Sequence, residues 1–442
     1  MFRTWTFYVN LSGISYRKMS TKLSLAKKYY GSEKNVWVEM SKLAVDYNVV
    51  NLGQGFPDFK PPASATDALI EAASNKNHLL HQYTRGFGQS RLVDVLSKVY
   101  SPIMGRTIDP FKEILISVGG YGALYSCING FLNPGDEVII IEPFFDCYEP
   151  MVRTAGGIPV FVPLRIKDSA SDGKMSSAQW KLDEKEFASK FTENTKLLIL
   201  NTPSNPVGKV FSRSELEMIA ALCIKHDVLC ISDEVYEWLT YDGNKHLKIA
   251  TIPGMWERTL TVGSAGKTFC ATGWKTGWTI GPAELITSAM VVHQNSVYHV
   301  PTITQEAVAI AFEKELQHLN TPKSYFQSLP LEITRKRDAL ADVLLDLGMQ
   351  PTIPEGGFFM LADISSLGIT IPEDGTDDPK DFKFVRWLIK EKRFAAIPPS
   401  AFYSFDHKHL GEKYIRLCFM KEDETLEAAI KILKEWKQTL KH

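Results

Sequence analysis

The sequence predicts an α/β protein with a mainly parallel sheet in a large domain, followed along the chain by a smaller α+β domain. From about residue 113, short β-branched runs alternate with helical patterns, which is typical of parallel strands covered by helices. After about residue 330 the pattern changes to a long helix, a Gly-Gly-Phe-Phe strand, a polar stretch and a last strand and helix. A chain of 442 residues also exceeds what one hydrophobic core usually serves. We therefore predict a large domain over residues 66–330 and a small domain over residues 331–442.

The large domain contains clear strand candidates, each an aliphatic run that ends at turn or polar residues. They are residues 113–117, 137–141, 159–162, 196–200, 228–231 and 259–262. Helical patterns lie between several of them. Over residues 214–226, for example, Ser214 can cap a helix and Glu217 completes a capping box. Ligands of such sheets bind at the carboxyl ends of the strands, so the residues just after each strand are the first candidates for a site.

Two segments precede the large domain. Residues 33–65 form an arm, with one amphipathic helix and a short extended run, that we expect to pack with the small domain. Residues 1–32 contain Lys and Arg among Ser, Thr and aromatic residues, and no acidic residue before Glu33. This composition is typical of a mitochondrial transit peptide. The alternatives are a disordered extension or a cytoplasmic protein that starts at Met19.

The overall composition narrows the class of partner. Fifty basic and 51 acidic residues give a net charge of −1, which offers no general attraction to nucleic acid or anionic lipid. No apolar run is long enough to cross a bilayer. The six cysteines show no CxxC pair, which favours buried free thiols over disulfides or a zinc site. We expect a small-molecule partner, no bound metal, and neither a nucleic-acid nor a membrane partner.

The strongest motif follows the last strand candidate. A lysine alone carries little information, because most lysines are solvated surface groups. Here Ser264 lies three residues before Lys267 and Lys275 lies eight after it, on Gly-rich turns at a strand end. This arrangement can hold a phosphate while it presents an amine to an aldehyde. The segment resembles the Ser-x-x-Lys…Gly-x-[Arg/Lys]-x-Gly pattern of the fold-type I aminotransferases, which depend on pyridoxal phosphate.

The resemblance implies a seven-stranded, mainly parallel sheet and pyridoxal 5'-phosphate as cofactor. It makes Lys267 the catalytic Schiff-base lysine and proton carrier, with Ser264 and Lys275 at the phosphate. Such a lysine must spend part of its cycle as a free amine, so its pKa has to be lowered by a partly desolvated, cation-rich site. The family more often has arginine where Lys275 stands, and lysine keeps the charge but not the two-bond geometry.

Two further strand ends carry residues that match the family. Residues 201–208, Asn-Thr-Pro-Ser-Asn-Pro-Val-Gly, would alone indicate only a loop. By the resemblance, Asn205 contacts the phenolic oxygen of the cofactor and also the substrate. Asp233 could simply begin a helix, where acidic residues are common. In the family pattern, it keeps the pyridine nitrogen protonated and Tyr236 joins Asn205 at the phenolic oxygen.

The remaining cofactor contacts come from two more segments. Gly120 and Tyr121 lie in a Gly-rich turn that opens a helix, where backbone amides suit a phosphate. Phe145 follows residues 137–141, and the resemblance implies that its ring stacks on the pyridine, although core packing is the commoner role of phenylalanine.

Arg416 is an arginine in an otherwise apolar strand of the small domain. A desolvated guanidinium is costly unless it is paired, so it requires either a buried structural carboxylate or a bound substrate. The resemblance makes Arg416 the residue that binds the substrate carboxylate.

Several phrases narrow the resemblance to the kynurenine aminotransferases, a family also known as glutamine transaminase K or cysteine-S-conjugate β-lyase. They are residues 35–37, 51–58, 82–84, 144–150, 254–258 and 293–296. Residues 85–88 and 230–239 are most similar to the third mammalian type, whereas Tyr298 and His299 look more like the first. The resemblance runs from about residue 33 to the C-terminus.

In this family, aromatic residues form the substrate pocket of a homodimer. The resemblance places Trp37, Gly55, Tyr121 and His299 around the substrate side chain. Tyr83, as a cofactor contact, and Tyr298, as a substrate contact, would reach the site of the neighbouring subunit. Such a box favours kynurenine, phenylalanine, methionine or glutamine as amino donors to 2-oxo acids. A C–S lyase would use the same cofactor residues. A regulator that keeps the fold without catalysis would need a DNA-binding extension, and residues 1–32 show no helix-turn-helix pattern.

Overall fold

The computed structural model describes residues 24–31, 35–167, 174–319 and 321–440. The transit-peptide prediction falls on residues 1–32, of which only 24–31 are described; they are exposed and contain one 3-10 turn, Lys27–Tyr29. The start at Met19 lies outside the described residues. Within them, no helix is both long enough and apolar enough to cross a membrane.

The elements alternate along the chain as the sequence predicts. The helices are α1 (Val36–Asp46), α2 (Ala63–Ser74), α3 (Ser90–Met104), α4 (Gly119–Phe131), α5 (Tyr148–Thr154), α6 (Glu184–Ser189), α7 (Arg213–Lys225), α8 (Ala265–Thr268), α9 (Ala283–Ser296), α10 (Thr302–Leu316), α11 (Tyr325–Leu347), α12 (Lys380–Lys392), α13 (Lys408–Gly411) and α14 (Asp423–Leu440). The strands are β1 (Val50–Asn51), β2 (Ile114–Val118), β3 (Glu137–Glu142), β4 (Ile158–Pro163), β5 (Arg165–Ile166), β6 (Met175–Ser176), β7 (Trp180–Lys181), β8 (Thr195–Asn201), β9 (Leu229–Asp233), β10 (Thr259–Ser264), β11 (Thr276–Ile280), β12 (Gln350–Ile353), β13 (Phe359–Asp363), β14 (Phe394–Ala395) and β15 (Tyr414–Cys418).

The large domain is built on a seven-stranded sheet in the order β2-β11-β10-β9-β8-β3-β4. Strands β4, β3, β8, β9 and β10 pair in parallel, so their carboxyl ends share one edge. Strand β11 runs antiparallel to both β10 and β2. Helices cover both faces, and the strand interiors are buried, as expected of a parallel sheet sheathed by helices.

The small domain packs α1, α11, α12 and α14 against the sheet β15-β13-β12-β6. Val36 and Met40 of α1 share this core with Leu340 of α11, which is the packing expected of the N-terminal arm. The change of core falls within α11, because Phe326 belongs to the large-domain core and Leu329 to the small-domain core.

The cap of α7 differs from the prediction. Ser212, and not Ser214, accepts the hydrogen bond from Glu215 N, and the Glu215 side chain accepts one from Ser212 N. The chain is extended at Ser212, with φ −68° and ψ 161°, so the cap lies two residues before the predicted one and the helix starts at Arg213. Both Ser-x-x-Glu spacings satisfy the capping-box pattern, and the backbone selects the earlier one.

Candidate active site

A cavity of about 370 Å³ lies at the shared carboxyl edge of the large sheet and reaches the small domain. Most residues proposed from the sequence line it: Trp37, Gly55, Gly120, Tyr121, Phe145, Asn205, Asp233, Tyr236, Ser264, Lys267, Lys275 and Arg416. They come from α1, from the ends of β1, β2, β3, β8, β9 and β10 and the segments that follow these strands, and from β15. Parallel strands bring these distant segments together.

Lys267 lies in the short helix α8, directly after β10, and is partly buried. Its Nζ donates to Gly55 O at 3.1 Å. Burial disfavours the charged ammonium and lowers the pKa of Lys267 to about 8. Near neutral pH a useful fraction of this side chain is therefore a free amine, which is the state a nucleophile or proton acceptor needs.

One end of the cavity is suited to a phosphate. Helix α4 begins at Gly119 with no side chain capping its amides, and Gly119 has a φ of +68°. A Cβ at Gly119 would lie 3.3 Å from Lys275 Nζ, so this ammonium sits against the start of the helix. A Cβ at Gly120 would lie 3.7 Å from the Ser264 Cβ. Free amides, a hydroxyl and a cation thus converge at the positive end of a helix dipole.

Asp233 ends β9 and is buried, which raises the pKa of its carboxyl to about 6. Tyr148 Oη donates to Asp233 Oδ2 at 2.6 Å and opposes this rise. Sequence reasoning missed Tyr148, although it lies in the segment after β3 that supplied Phe145. Tyr236 is buried beside Asp233, with its ring edge-on to Phe358 at 5.0 Å.

The turn that carries Asp233 and Tyr236 is held by residues that do not line the cavity. Glu234 and Glu237 both accept hydrogen bonds from the buried Lys248 ammonium. Tyr100 Oη donates to Glu237 Oε1 at 2.6 Å. The two carboxylates are therefore partnered in the interior, and the segment keeps a fixed conformation.

Arg416 in β15 is fully buried, and burial lowers its pKa to about 10. It donates to Asn205 Oδ1 at 3.0 Å and to Gly53 O at 2.9 Å, and its Nε has no partner among the described residues. Asp146 acts on it only at longer range and accepts a hydrogen bond from Trp37 Nε1 at 2.7 Å instead. The sequence left two partners open for Arg416, a buried structural carboxylate or a bound substrate. Among the described residues, no carboxylate is hydrogen-bonded to Arg416.

Aromatic rings and a glycine shape the space around this guanidinium. The Arg416 Cζ lies 3.9 Å from the Phe359 ring centroid and 4.9 Å from that of Trp37. A Cβ at Gly55 would lie 2.9 Å from Phe359 Cζ, so a larger residue would close the cavity. Phe359, which sequence reasoning also missed, belongs to the Gly-Gly-Phe-Phe strand of the small domain.

Three predicted residues do not line the cavity of their own chain. Tyr83 is 79% exposed, and its ring lies edge-on to those of Tyr298, at 5.9 Å, and His299, at 5.3 Å. Tyr298 is 59% exposed. His299 belongs to the same outer cluster, because its Nε2 accepts from Thr84 N at 3.0 Å. Its place around the substrate side chain stays a prediction.

The family follows from comparison with known proteins. Residues 47–433 match the model of the aminotransferase class I and II family. The chain belongs to this family. Kynurenine–oxoglutarate transaminase 3 of Mus musculus is 53% identical over 95% of the chain and 91% of its own length. Kynurenine–oxoglutarate transaminase 1 of Homo sapiens is 50% identical over 94% and 99%. A putative kynurenine aminotransferase from Saccharomyces cerevisiae, known from a crystal structure, is 36% identical with a TM-score of 0.87, over 94% and 99% of the two chains.

Aminotransferases of this class use pyridoxal phosphate, and the cavity fits that group. Lys267 offers an amine of lowered pKa. The start of α4, Ser264 and Lys275 offer an anion site, and Asp233 offers a buried carboxylate. The fold is that of the fold-type I pyridoxal-phosphate transferases.

Proposed function

We propose that this aminotransferase converts L-kynurenine to the 2-oxo acid that cyclises to kynurenic acid, and that it also transaminates glutamine, methionine and aromatic amino acids with 2-oxo acids. The observation that carries the proposal is Arg416, a buried guanidinium that faces an aromatic cavity beside Lys267 and has no bonded carboxylate among the residues that the structure describes. An α-carboxylate supplies the missing partner in two parallel hydrogen bonds. The names of the mammalian relatives support kynurenine as the donor.

The residues that line the cavity would hold the cofactor from several sides. Ser264, Lys275 and the amides of Gly120 and Tyr121 would hold its phosphate, and Phe145 would pack on its ring. Asp233 would pair with the ring nitrogen, and Asn205 and Tyr236 would bind the phenolic oxygen. When bound, pyridoxal phosphate supplies an electron sink for the bond broken at the substrate Cα. Asp233 maintains that sink, because an ionised carboxylate favours a protonated ring nitrogen.

Lys267 moves the proton. With a pKa of about 8, its amine accepts a proton at the substrate Cα and returns it at the neighbouring carbon. Burial keeps bulk water from competing for that proton. The hydrogen bond to Gly55 O orients Nζ toward the same wall that Arg416 occupies.

The substrate side chain lies among Trp37, Gly55 and Tyr121. Flat rings fit between aromatic walls, and Gly55 leaves the room that a kynurenine ring needs. Aspartate is a poor donor, since these walls offer its side chain no cation.

Cysteine S-conjugates are proposed as a second class of substrate. Once Lys267 has removed the Cα proton, a good thiol leaving group can depart from Cβ, which yields pyruvate and ammonia after hydrolysis. Pyruvate yield should rise along a series of conjugates as the thiol pKa falls. Equal yields from conjugates with good and poor leaving groups would contradict this.

The chain acts as a homodimer in this proposal. Tyr83, Tyr298 and His299 form an exposed aromatic cluster, and such side chains are common at interfaces. We propose that they complete the site of the neighbouring subunit.

For residues 1–32 we propose mitochondrial import, with a start at Met19 giving a cytoplasmic form. Fusions of a fluorescent protein to residues 1–32 and to residues 19–32 test this. The longer fusion should colocalise with mitochondria and the shorter should not; cytosolic fluorescence from both would contradict the proposal.

A survey of amino donors against several 2-oxo acids, with Lys267→Ala as control, tests the main proposal. Kynurenine and glutamine should react, aspartate should not, and the variant should show neither turnover nor a cofactor absorbance that borohydride fixes to the protein. Rapid turnover of aspartate without kynurenine would contradict the substrate proposal. Turnover by the variant would contradict the role of Lys267.

A further inference from the structure

The end of β3 in the large domain is joined to a segment of the small domain, residues 397–407. Glu142, the last residue of β3, is fully buried, and one of its carboxylate oxygens accepts from Ser404 N. The other is hydrogen-bonded to His407 Nδ1. Phe144 N donates to Phe402 O at 2.9 Å. We call these contacts the seam.

The seam leads directly to Arg416. Ile397 and Arg416 exchange backbone hydrogen bonds of 3.1 and 2.9 Å. The Phe402 ring centroid lies 5.1 Å from the Arg416 Cζ and 6.1 Å from the Trp37 ring centroid. The segment therefore holds the strand that carries Arg416 in position and supplies Phe402, one of the rings beside its guanidinium.

A second buried carboxylate holds the same segment from inside the small domain. Asp381, in the first turn of α12, accepts from Ser400 N and from Ser400 Oγ, both at 2.7 Å. Asp381 thus ties the segment to its own domain, while Glu142 ties it to the large domain. Lys267 belongs to the large domain and Arg416 to the small one. The Glu142 contacts join these domains, so they help to determine the position of Arg416 relative to Lys267.

We propose that Glu142 and His407 are a positioning pair that holds the Arg416 side of the substrate site in place against the large domain. Neither residue lines the cavity. A carboxylate buried at a strand end needs partners, and its partners here all belong to the segment that carries Phe402. The inference depends on the proposed role of Arg416 in carboxylate binding.

The test compares Glu142→Gln and His407→Gln with His409→Gln. His409 is exposed, hydrogen-bonds through Nδ1 to Asp406 O, and lies edge-on to the His407 ring at 6.4 Å without a hydrogen bond to Glu142. Glutamine keeps the size of Glu142 but removes its negative charge and one of its two acceptor oxygens. We expect KM for the amino donor and for the 2-oxo acid to rise together, roughly tenfold, as for loss of a charge-assisted hydrogen bond. Here kcat should fall less than KM rises, and cofactor absorbance and affinity should match the wild type. His409→Gln should behave as wild type.

The double variant should be no worse than the poorer single variant, because both substitutions break one interaction. If Glu142→Gln does not fold, His407→Gln still decides, since His407 is partly exposed and Ser404 N remains bonded to Glu142. Unchanged KM values, or equal losses in kcat, cofactor affinity and melting temperature, would overturn the inference. The substrates that the wild type turns over test the proposed function separately. The inference itself depends only on the ratio of variant KM to wild-type KM, which can be measured with any amino donor and 2-oxo acid that the wild type accepts.

Discussion

At the scale of single residues, three ionisable groups of the cavity share one property: burial shifts each toward its neutral form. The pKa of Lys267 falls to about 8, that of Arg416 falls to about 10, and that of Asp233 rises to about 6. A protein keeps such groups in its interior when something else compensates the desolvation. Pyridoxal phosphate and the substrate carboxylate supply that compensation in the proposed function.

Arg416→Lys tests the carboxylate role. A point charge replaces a two-bond fork, so KM should rise for both amino and 2-oxo substrates, by an amount that corresponds to ~1.5–3 kcal/mol. Steady-state kinetics with a cofactor absorbance spectrum measures this. Normal absorbance with unchanged KM for both substrates would mean that Arg416 is structural.

Tyr148→Phe tests the control of Asp233. Loss of the donated hydrogen bond should raise the pKa of Asp233 further above its ordinary value, so the cofactor-free variant has less ionised carboxylate as the pH falls toward 6. Cofactor affinity should therefore drop more at pH 6 than at pH 8. Titration of cofactor-free protein by absorbance at both pH values measures this, with the half-exposed Tyr125→Phe as control. An equal loss at both pH values would contradict it.

At the scale of elements, the sequence predicts most of the large sheet and misses one strand. Six aliphatic runs match β2, β3, β4, β8, β9 and β10 to within a few residues, because buried parallel strands are continuous hydrophobic runs. Strand β11 has the sequence Thr-Gly-Trp-Thr-Ile and directly follows Lys275, so its first residues look like part of the phosphate motif. The glycine in this strand, Gly277, has a steric reason: a Cβ there would lie 2.4 Å from Gly119 C. Close packing against α4, and not strand propensity, selects that residue.

The cap of α7 gives a matched pair of variants. Ser212→Ala should lower the free energy of unfolding by about 1 kcal/mol, since it removes the side-chain acceptor for Glu215 N. Ser214→Ala, inside the helix, should change it by less than about 0.5 kcal/mol. Denaturant unfolding with the cofactor bound measures both. A larger effect at Ser214 would show that the predicted cap is used in solution.

At the scale of the whole molecule, the site combines two domains and, in our proposal, two subunits. Sequence motifs locate Lys267, Asp233, Asn205 and Arg416, because each follows or lies in a recognisable strand. They do not reveal Tyr148 as the partner of Asp233, nor the seam at Glu142, since these contacts join segments 85 and more than 260 residues apart. They also do not reveal the contact of His299 with Thr84, which spans 215 residues.

If the aromatic cluster of each chain completes the site of the neighbouring subunit, two inactive variants should complement each other in a mixed dimer. Lys267→Ala lacks the proton carrier, and a Tyr83→Ala/Tyr298→Ala variant lacks the cluster. In a mixed dimer, the chain that keeps Lys267 receives the intact cluster from its Lys267→Ala neighbour, so one site is complete. If equal amounts are refolded together and assort at random, about a quarter of wild-type activity should return, because half of the dimers are mixed and each has one working site. Activity is measured on the refolded mixture and on each variant alone. No recovery, with mixed dimers present by mass spectrometry, would mean that the cluster does not serve the neighbouring site.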